Sequence, residues 1–268
     1  MEIIILKNAK SVAAMGGELV AELLRVSPAA VLGLATGGTQ LVLYRELVEQ
    51  YRAGVMSFKN TTSFNLDEYL GVTPDNPQSY RAYMRREFFD HIDIEPGNTF
   101  LPECVAGQNP VRVGPGYEQK IRSAGGIDLQ VLGIGSNGHI GFNEPSSSLN
   151  SRTRVKTLTR QTFEDNSRLF SADEFQPTLA ITMGIATIMD ARRILLLATG
   201  QNKAEAIAKM VEGPVTAMCP ASILQMHQRV TVLLDEAAAG QLQNRDYYDW
   251  THLQNESLKE RFGLTHDV

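Results

Sequence analysis

Three groups of residues have types and spacings suited to chemistry. Asp67 and Glu68 lie within Asn65-Leu-Asp-Glu-Tyr69, just past an apolar stretch. A carboxylate held at a strand end can serve as a general base, although adjacent acids in a loop are more often solvated surface charge. The second group is Leu132-Gly-Ile-Gly-Ser-Asn-Gly-His-Ile-Gly-Phe-Asn-Glu-Pro145, which sets Asn137, His139 and Glu144 in a loop with Gly133, Gly135, Gly138 and Gly141. Histidine titrates near neutrality and is the usual proton shuttle, Glu144 can orient it, and Asn137 can donate or accept a hydrogen bond beside it. A purely structural loop histidine is the alternative from this segment alone. The third group could hold an anion. Thr36, Gly37, Gly38 and Thr39 fall between a strand-like and a helix-like segment, where free backbone N–H groups, the helix dipole and two hydroxyls would cradle a phosphate. An ordinary tight turn with a threonine N-cap would have the same composition. Arg168 and Lys203 are candidate clamps for the same dianion, one a planar fork and the other a point charge, although taken singly each is more often a solvated surface cation. Lys203 opens a helix, where the dipole disfavours a structural cation.

Several other chemistries fail on the same residues. Gly133-x-Gly135-x-x-Gly138 spells the dinucleotide fingerprint, which demands a helix at its third glycine and an acid roughly 20 residues later. Gly141 and Pro145 spoil that helix, and no acid occurs between Glu144 and Glu164. No Lys-Ser/Thr pair follows the Thr36–Thr39 turn, so it is not a nucleoside-triphosphate loop. No second His or Cys stands at ligand spacing from His139, so no metal is expected.

These residues need elements to position them. Strand-like runs at 3–6, 30–35, 61–65, 127–132, 193–198 and 229–234 are separated by helical patterns, among them 12–24, 40–51, 78–89 and 202–211. That alternation predicts right-handed crossovers in one α/β domain over 1–268: an open, mostly parallel sheet with helices on both faces, Rossmann-like and three-layered. Ligands bind such sheets beyond the C-terminal strand ends, and Ala35–Thr39, Phe64–Tyr69, Leu132–Pro145 and Ala198–Lys203 all fall there. The less regular stretch from about 146 to 177 is expected to be a lid-like excursion, and the tail from 248 to 268 is uninformative.

With 43% hydrophobic and 21% charged residues the composition is that of a soluble globular protein. A net charge of −5 argues against nucleic-acid binding. Cys104 and Cys219 lack CxxC spacing and fit a reducing compartment. The N-terminus lacks a basic leader, and no apolar run approaches the ~20 residues of a membrane span. A cytoplasmic protein with no membrane partner is expected.

Leu66-Asp-Glu-Tyr-Leu-Gly71, the 133–145 loop and Ser151-Arg-Thr-Arg-Val-Lys-Thr-Leu-Thr159 closely resemble the glucosamine-6-phosphate deaminase (glucosamine/galactosamine-6-phosphate isomerase) family, and the match runs to about residue 235. The resemblance implies conversion of glucosamine 6-phosphate to fructose 6-phosphate and ammonia in N-acetylglucosamine degradation, without metal or organic cofactor. It implies Asp67 as the base moving a proton from C2 to C1, and His139 with Asn137 and Glu144 as the ring-opening relay. Thr36, Gly37, Gly38, Thr39, Arg168 and Lys203 would hold the 6-phosphate. Some family members are homo-oligomers activated by N-acetylglucosamine 6-phosphate, and Ser147, Arg154 and Lys156 match that second phosphate site. Others carry aspartate where Asn137 stands, which predicts a different pH optimum here. The rivals are a 6-phosphogluconolactonase or a galactosamine-6-phosphate isomerase, and a sugar-phosphate sensor. The sensor would need a helix-turn-helix, for which there is no room before Ile3.

Overall fold

The computed structural model describes residues 1–105, 107–160, 163 and 175–263. Seven strands form one wholly parallel sheet: β1 (Glu2–Leu6), β2 (Val31–Leu34), β3 (Thr62–Asn65), β5 (Thr99–Phe100), β6 (Leu129–Leu132), β9 (Arg193–Ala198) and β10 (Val230–Asp235). Their spatial order is β1-β10-β9-β6-β2-β3-β5. From β2 the chain winds outward through β3 to β5, then returns to β6 on the other side of β2 and winds the opposite way. The reversal lies between β2 and β6, and there the loops leaving two adjacent strands diverge and open a crevice.

Helices α1 (Ala9–Val26), α2 (Gly38–Arg52) and α3 (Tyr80–Glu87) cover one face. There Val12, Leu24, Leu43, Leu47 and Met84 pack on Ile4, Leu32, Leu34, Val131 and Leu195. Helices α4 (Pro110–Ser123), α5 (Ile185–Met189) and α6 (Ala204–Val211) cover the other, with Tyr117, Ile121, Ile188 and Ile207 against Val31, Phe64, Leu132, Leu196 and Val232. Side chains of successive strand residues point to opposite faces, so each continuous apolar run supplies both layers. The expected three-layer domain is what forms. Helix α1 shows how local sequence sets an end: the Asn8 side chain accepts from Ser11 N–H at 3.0 Å, an N-cap at the start of the apolar stripe.

Two features depart from the sequence reading. First, α4 runs through Gly114, Pro115 and Gly116, which weaken helix propensity and hid it. Its signals are local, with Asn109 capping Val111 N–H at 3.0 Å and Pro110 at the first turn. Second, β4 (Asp67–Tyr69), β8 (Leu179–Thr182) and β7 (Arg154–Thr157) form a separate antiparallel sheet in that order. The span expected as an excursion therefore contains β7, while 161–162 and 164–174 lie outside the described residues. Helix α7 (Arg245–Phe262) begins before the tail and runs through most of it, seated along β1 through His252 and Asn255 beside Glu2 at 3.2 and 3.3 Å.

Candidate active site

The four segments predicted to meet do so because their strands are neighbours: β9, β6, β2 and β3 stand side by side. Beyond their C-terminal ends lies a cavity of about 820 Å³. Thr36, Gly37, Gly38, Thr39, Asp67, His139 and Lys203 line it, joined by Gln40, Tyr80, Ser136, Thr199 and Asn202, which the sequence reading did not single out. Arg168 lies outside the described residues.

Asp67 begins β4 and is 6% exposed, and Glu68 is 2% exposed. The solvated-charge reading of this pair is overturned. The chain leaves β3 at Asn65 and re-pairs at once with β8, Asp67 opposite Thr182, which draws both carboxyls inside. Burial, and then the adjacent Glu68, push the Asp67 carboxyl up to about 8, offset in part by hydrogen bonds from the Thr182 hydroxyl and the Phe142 amide. Gly141 makes this approach feasible. Its φ is +55°, and a Cβ there would stand 2.9 Å from Thr182 Oγ1 and 3.3 Å from Asp67 Oδ2.

His139 is held from behind. Its ring rests on the Gly135 backbone, where an added Cβ would come within 2.3 Å of the imidazole. Asn137 Oδ1 accepts from the His139 amide at 3.1 Å and lies 2.8 Å from His139 Nδ1. Asn137 Nδ2 donates to Glu144 Oε2 at 2.7 Å. Glu144 is buried, and its Oε2 lies 3.3 Å from His139 Nδ1. A carboxylate only accepts, so Glu144 turns the Asn137 NH₂ toward itself and the amide oxygen toward the imidazole. That oxygen only accepts as well, so Nδ1 carries the hydrogen and Nε2 of the neutral ring is the basic nitrogen. The asparagine keeps the relay intact as a hydrogen-bonded chain.

The anion pole centres on α2. Its N-cap is Gly37, with no side chain bonded to the first-turn amides, so the threonine-capped turn is not what forms. Beyond Gly38 the space is open: a Cβ there would meet nothing within 4 Å. Thr39 Oγ1 lies 3.4 Å from Thr199 Oγ1, which brings the β2 and β9 loops together. Lys203 ends a 3-10 turn before α6, and burial pulls its ammonium below the ordinary lysine range. Gln40 braces the crevice, its amide donating to Thr36 O at 3.2 Å and accepting from Gly133 N at 3.0 Å.

Ser147, Arg154 and Lys156 do not line the cavity. Ser147 is buried, with no hydrogen-bond partner for its hydroxyl among the described residues. Arg154 donates to Asn143 Oδ1 at 2.9 Å, and Asn143 Nδ2 donates to Ile140 O and Met183 O at 2.9 and 2.8 Å. Of the residues missed, Tyr80 carried the clearest signal, as an aromatic at a helix start. Thr182 carried none, because its role comes from its antiparallel partner.

The family profile described as glucosamine-6-phosphate isomerases/6-phosphogluconolactonase matches residues 7–233. The chain belongs to this family. Among its relatives, the glucosamine-6-phosphate deaminase of Colwellia psychrerythraea (strain 34H) is 60% identical over 267 residues, covering 100% of both chains. That of Shewanella woodyi (strain ATCC 51908) is 55% identical over 263 residues, covering 98% of this chain and 99% of its own. The solved structure of a monomeric glucosamine-6-phosphate deaminase superposes with a TM-score of 0.86 at 44% identity, covering 90% of this chain and 100% of its own. A 6-phosphogluconolactonase from Trypanosoma cruzi shares the fold at a TM-score of 0.71 and 21% identity, covering 90% and 97%. The isomerase/lactonase family thus spans two chemistries on one scaffold, and the site must decide between them.

Proposed function

We propose that this chain is a glucosamine-6-phosphate deaminase, converting glucosamine 6-phosphate and water to fructose 6-phosphate and ammonia. The observation that carries this reading is the pairing, in one cavity, of the buried carboxyl of Asp67 with His139 from a different strand end, the imidazole being backed from outside the cavity lining by Asn137 and Glu144. A lactonase has use for the histidine but none for a second, desolvated base.

In this mechanism the 6-phosphate sits on the first-turn amides of α2, with Thr36, Gly37, Gly38, Thr39, Arg168 and Lys203 supplying donors and charge. His139 Nε2 takes the proton of the anomeric hydroxyl and returns one to the ring oxygen, which breaks the C1–O5 bond and leaves the open-chain aldehyde. The imidazolium formed in between is stabilised by Glu144 through Asn137. Asp67 then removes the C2 proton, helped by the ammonium on that carbon; the electron pair forms the C1–C2 double bond while one ammonium proton passes to the C1 oxygen, which gives an enolamine. Return of the proton to C1 yields the 2-imine, and water adds at C2 to expel ammonia and leave the ketone. The substrate ammonium also favours the ionised base: a cation beside a buried carboxyl lowers its pKa.

The reading extends to Ser147, Arg154 and Lys156 as a second phosphate site for N-acetylglucosamine 6-phosphate, at contacts between subunits of a homo-oligomer. Two features support it. Asp67 of β4 and Arg154 of β7 both face Thr182 of the intervening β8, so the two sites share one register row. Arg154 also bonds Asn143, three residues from Ile140 and next to Glu144 in the relay loop.

The deciding measurement is ammonia release from glucosamine 6-phosphate, with 6-phosphogluconolactone and galactosamine 6-phosphate as competing substrates. Release from glucosamine 6-phosphate is expected. Lactone hydrolysis without ammonia release would overturn the proposal.

A further inference from the structure

Glu68 stands beside the base yet takes no part in the steps above. Its side chain, on the strand face opposite Asp67, reaches the N-terminus of α3. Glu68 Oε1 accepts from Tyr69 N–H at 2.8 Å and Tyr80 N–H at 3.0 Å, and Oε2 accepts from Arg81 N–H at 2.9 Å. Ser79 Oγ accepts from Ala82 N–H at 3.0 Å. The first three amides of α3, which have no partners within the helix, are therefore all satisfied, two of them by Glu68. Helix α3 in turn presents two tyrosines to the site. Tyr80 lines the cavity, with its hydroxyl 3.1 Å from that of Tyr69 and its ring stacked 6.2 Å from Phe142. Tyr83 donates to Gly37 O at 3.2 Å, at the N-cap of α2.

We infer that Glu68 is a positioning residue: one buried carboxylate docks α3, and through Tyr80 and Tyr83 the phosphate-binding turn, while setting the charge next to Asp67. The inference rests on the function proposed above and adds a link between its two poles. Among the described residues, Tyr80 from α3 and Tyr117 from α4 also feel the Asp67 charge, the Thr182 hydroxyl from β8 and the Phe142 amide donate to it, and His139 and Lys203 line the same cavity. Glu68 is faced by the α3 amides and, farther off, by Glu103, whose charge is bound to Arg81 at 2.7 Å. Among the described residues, Glu68 is therefore the acid that acts most directly on the base.

Glu68→Gln tests both halves of the inference. Glutamine keeps the shape, removes the charge and turns an NH₂ toward an α3 amide. The Asp67 carboxyl is followed by ¹³C NMR titration without substrate, its resonance assigned with Asp67→Asn. The midpoint is expected to fall by about one pH unit in Glu68→Gln. The KM for glucosamine 6-phosphate should rise several-fold as the Tyr83–Gly37 contact loosens. Ser79→Ala removes a neighbouring cap of the same helix without touching charge, and should leave the midpoint where it is. An unmoved midpoint or an unmoved KM in Glu68→Gln overturns the inference, as does an equal midpoint shift in Ser79→Ala. If the unaltered protein releases no ammonia, the proposed function falls instead, and the titration still decides whether Glu68 tunes Asp67.

Discussion

Asp67 carries the sharpest consequences at the scale of single residues. Its carboxyl titrates near 8 in the folded protein against an ordinary 3.8, so between those values the native state holds a proton that the unfolded chain has released. That contribution to stability is fully present below about pH 4 and is lost as the pH rises through about 8. An amide in its place has no proton to lose. Asp67→Asn should therefore melt like the parent at pH 4 and progressively higher at pH 7 to 9, by several °C, in calorimetric scans. A melting temperature below the parent's at pH 9 would show that burial does not penalise the ionised carboxyl. Turnover in the same variant should fall at least about 10³-fold with KM nearly unchanged, since a transition-state proton acceptor and not a binding contact is lost. In the unaltered enzyme kcat/KM should gain an acid limb near pH 8, where free Asp67 ionises. The limb in kcat should lie lower, because bound ammonium favours the carboxylate. Coincident limbs in the two profiles would contradict that role of the substrate amine.

At the scale of elements, the loop after β6 and the turn before α6 carry separable tasks. Gly135→Ala would set a methyl within 2.3 Å of the His139 ring while leaving the rest of the strand end in place. The imidazole must move by about an ångström, and misplacement of that size costs about 10²-fold in rate. Near-parental melting with that loss is the expected result; unimpaired turnover would mean that the ring does not work from this position. Lys203→Ala addresses the other pole. A charge-assisted contact to phosphate contributes about 1.5–3 kcal/mol, so KM should rise about 10- to 100-fold while kcat is largely kept. An unchanged KM would remove Lys203 from the phosphate site. Steady-state kinetics on both variants separates proton transfer from anchoring.

For the whole molecule the open matter is assembly and control. Helix α7 leaves Tyr247, Trp250, Leu253 and Phe262 each at least 60% exposed on a single chain, and Trp250 is the only tryptophan. In the proposed homo-oligomer with subunit-contact effector sites, sedimentation velocity should show a multimer, and N-acetylglucosamine 6-phosphate should shift the substrate saturation curve. A monomer with an unaltered hyperbolic curve would remove Ser147, Arg154 and Lys156 from any regulatory role. Covering of α7 in the assembly would blue-shift the Trp250 emission relative to a hydrated indole, which gives the same experiment an optical readout.

The amino-acid sequence by itself determined the three-layer α/β domain, because continuous apolar runs of strand length between amphipathic helices admit few other packings. It also determined which chemistry was on offer: a glycine-dense loop with His139 and Glu144, an Asp67–Glu68 pair past a strand end, and a turn at Thr36–Thr39 able to cradle an anion. Those signals are local, and local signals survive in one dimension. Helix α4 was hidden because Pro115 and its flanking glycines contradict it locally while Tyr117 and Ile121 pay for it in the core. The strand order 9-6-2-3 was decided only in three dimensions, and with it the meeting of four distant segments at one crevice. So was the small antiparallel sheet, whose pairing of Asp67 with Thr182 spans more than a hundred residues of chain. Burial of Asp67 and Glu68 follows from that pairing and from nothing in their own neighbourhood, since desolvation is a property of what packs around a group. The pKa of the base, and the reach of Glu68 to a helix cap twelve and thirteen residues away, are therefore facts of tertiary structure.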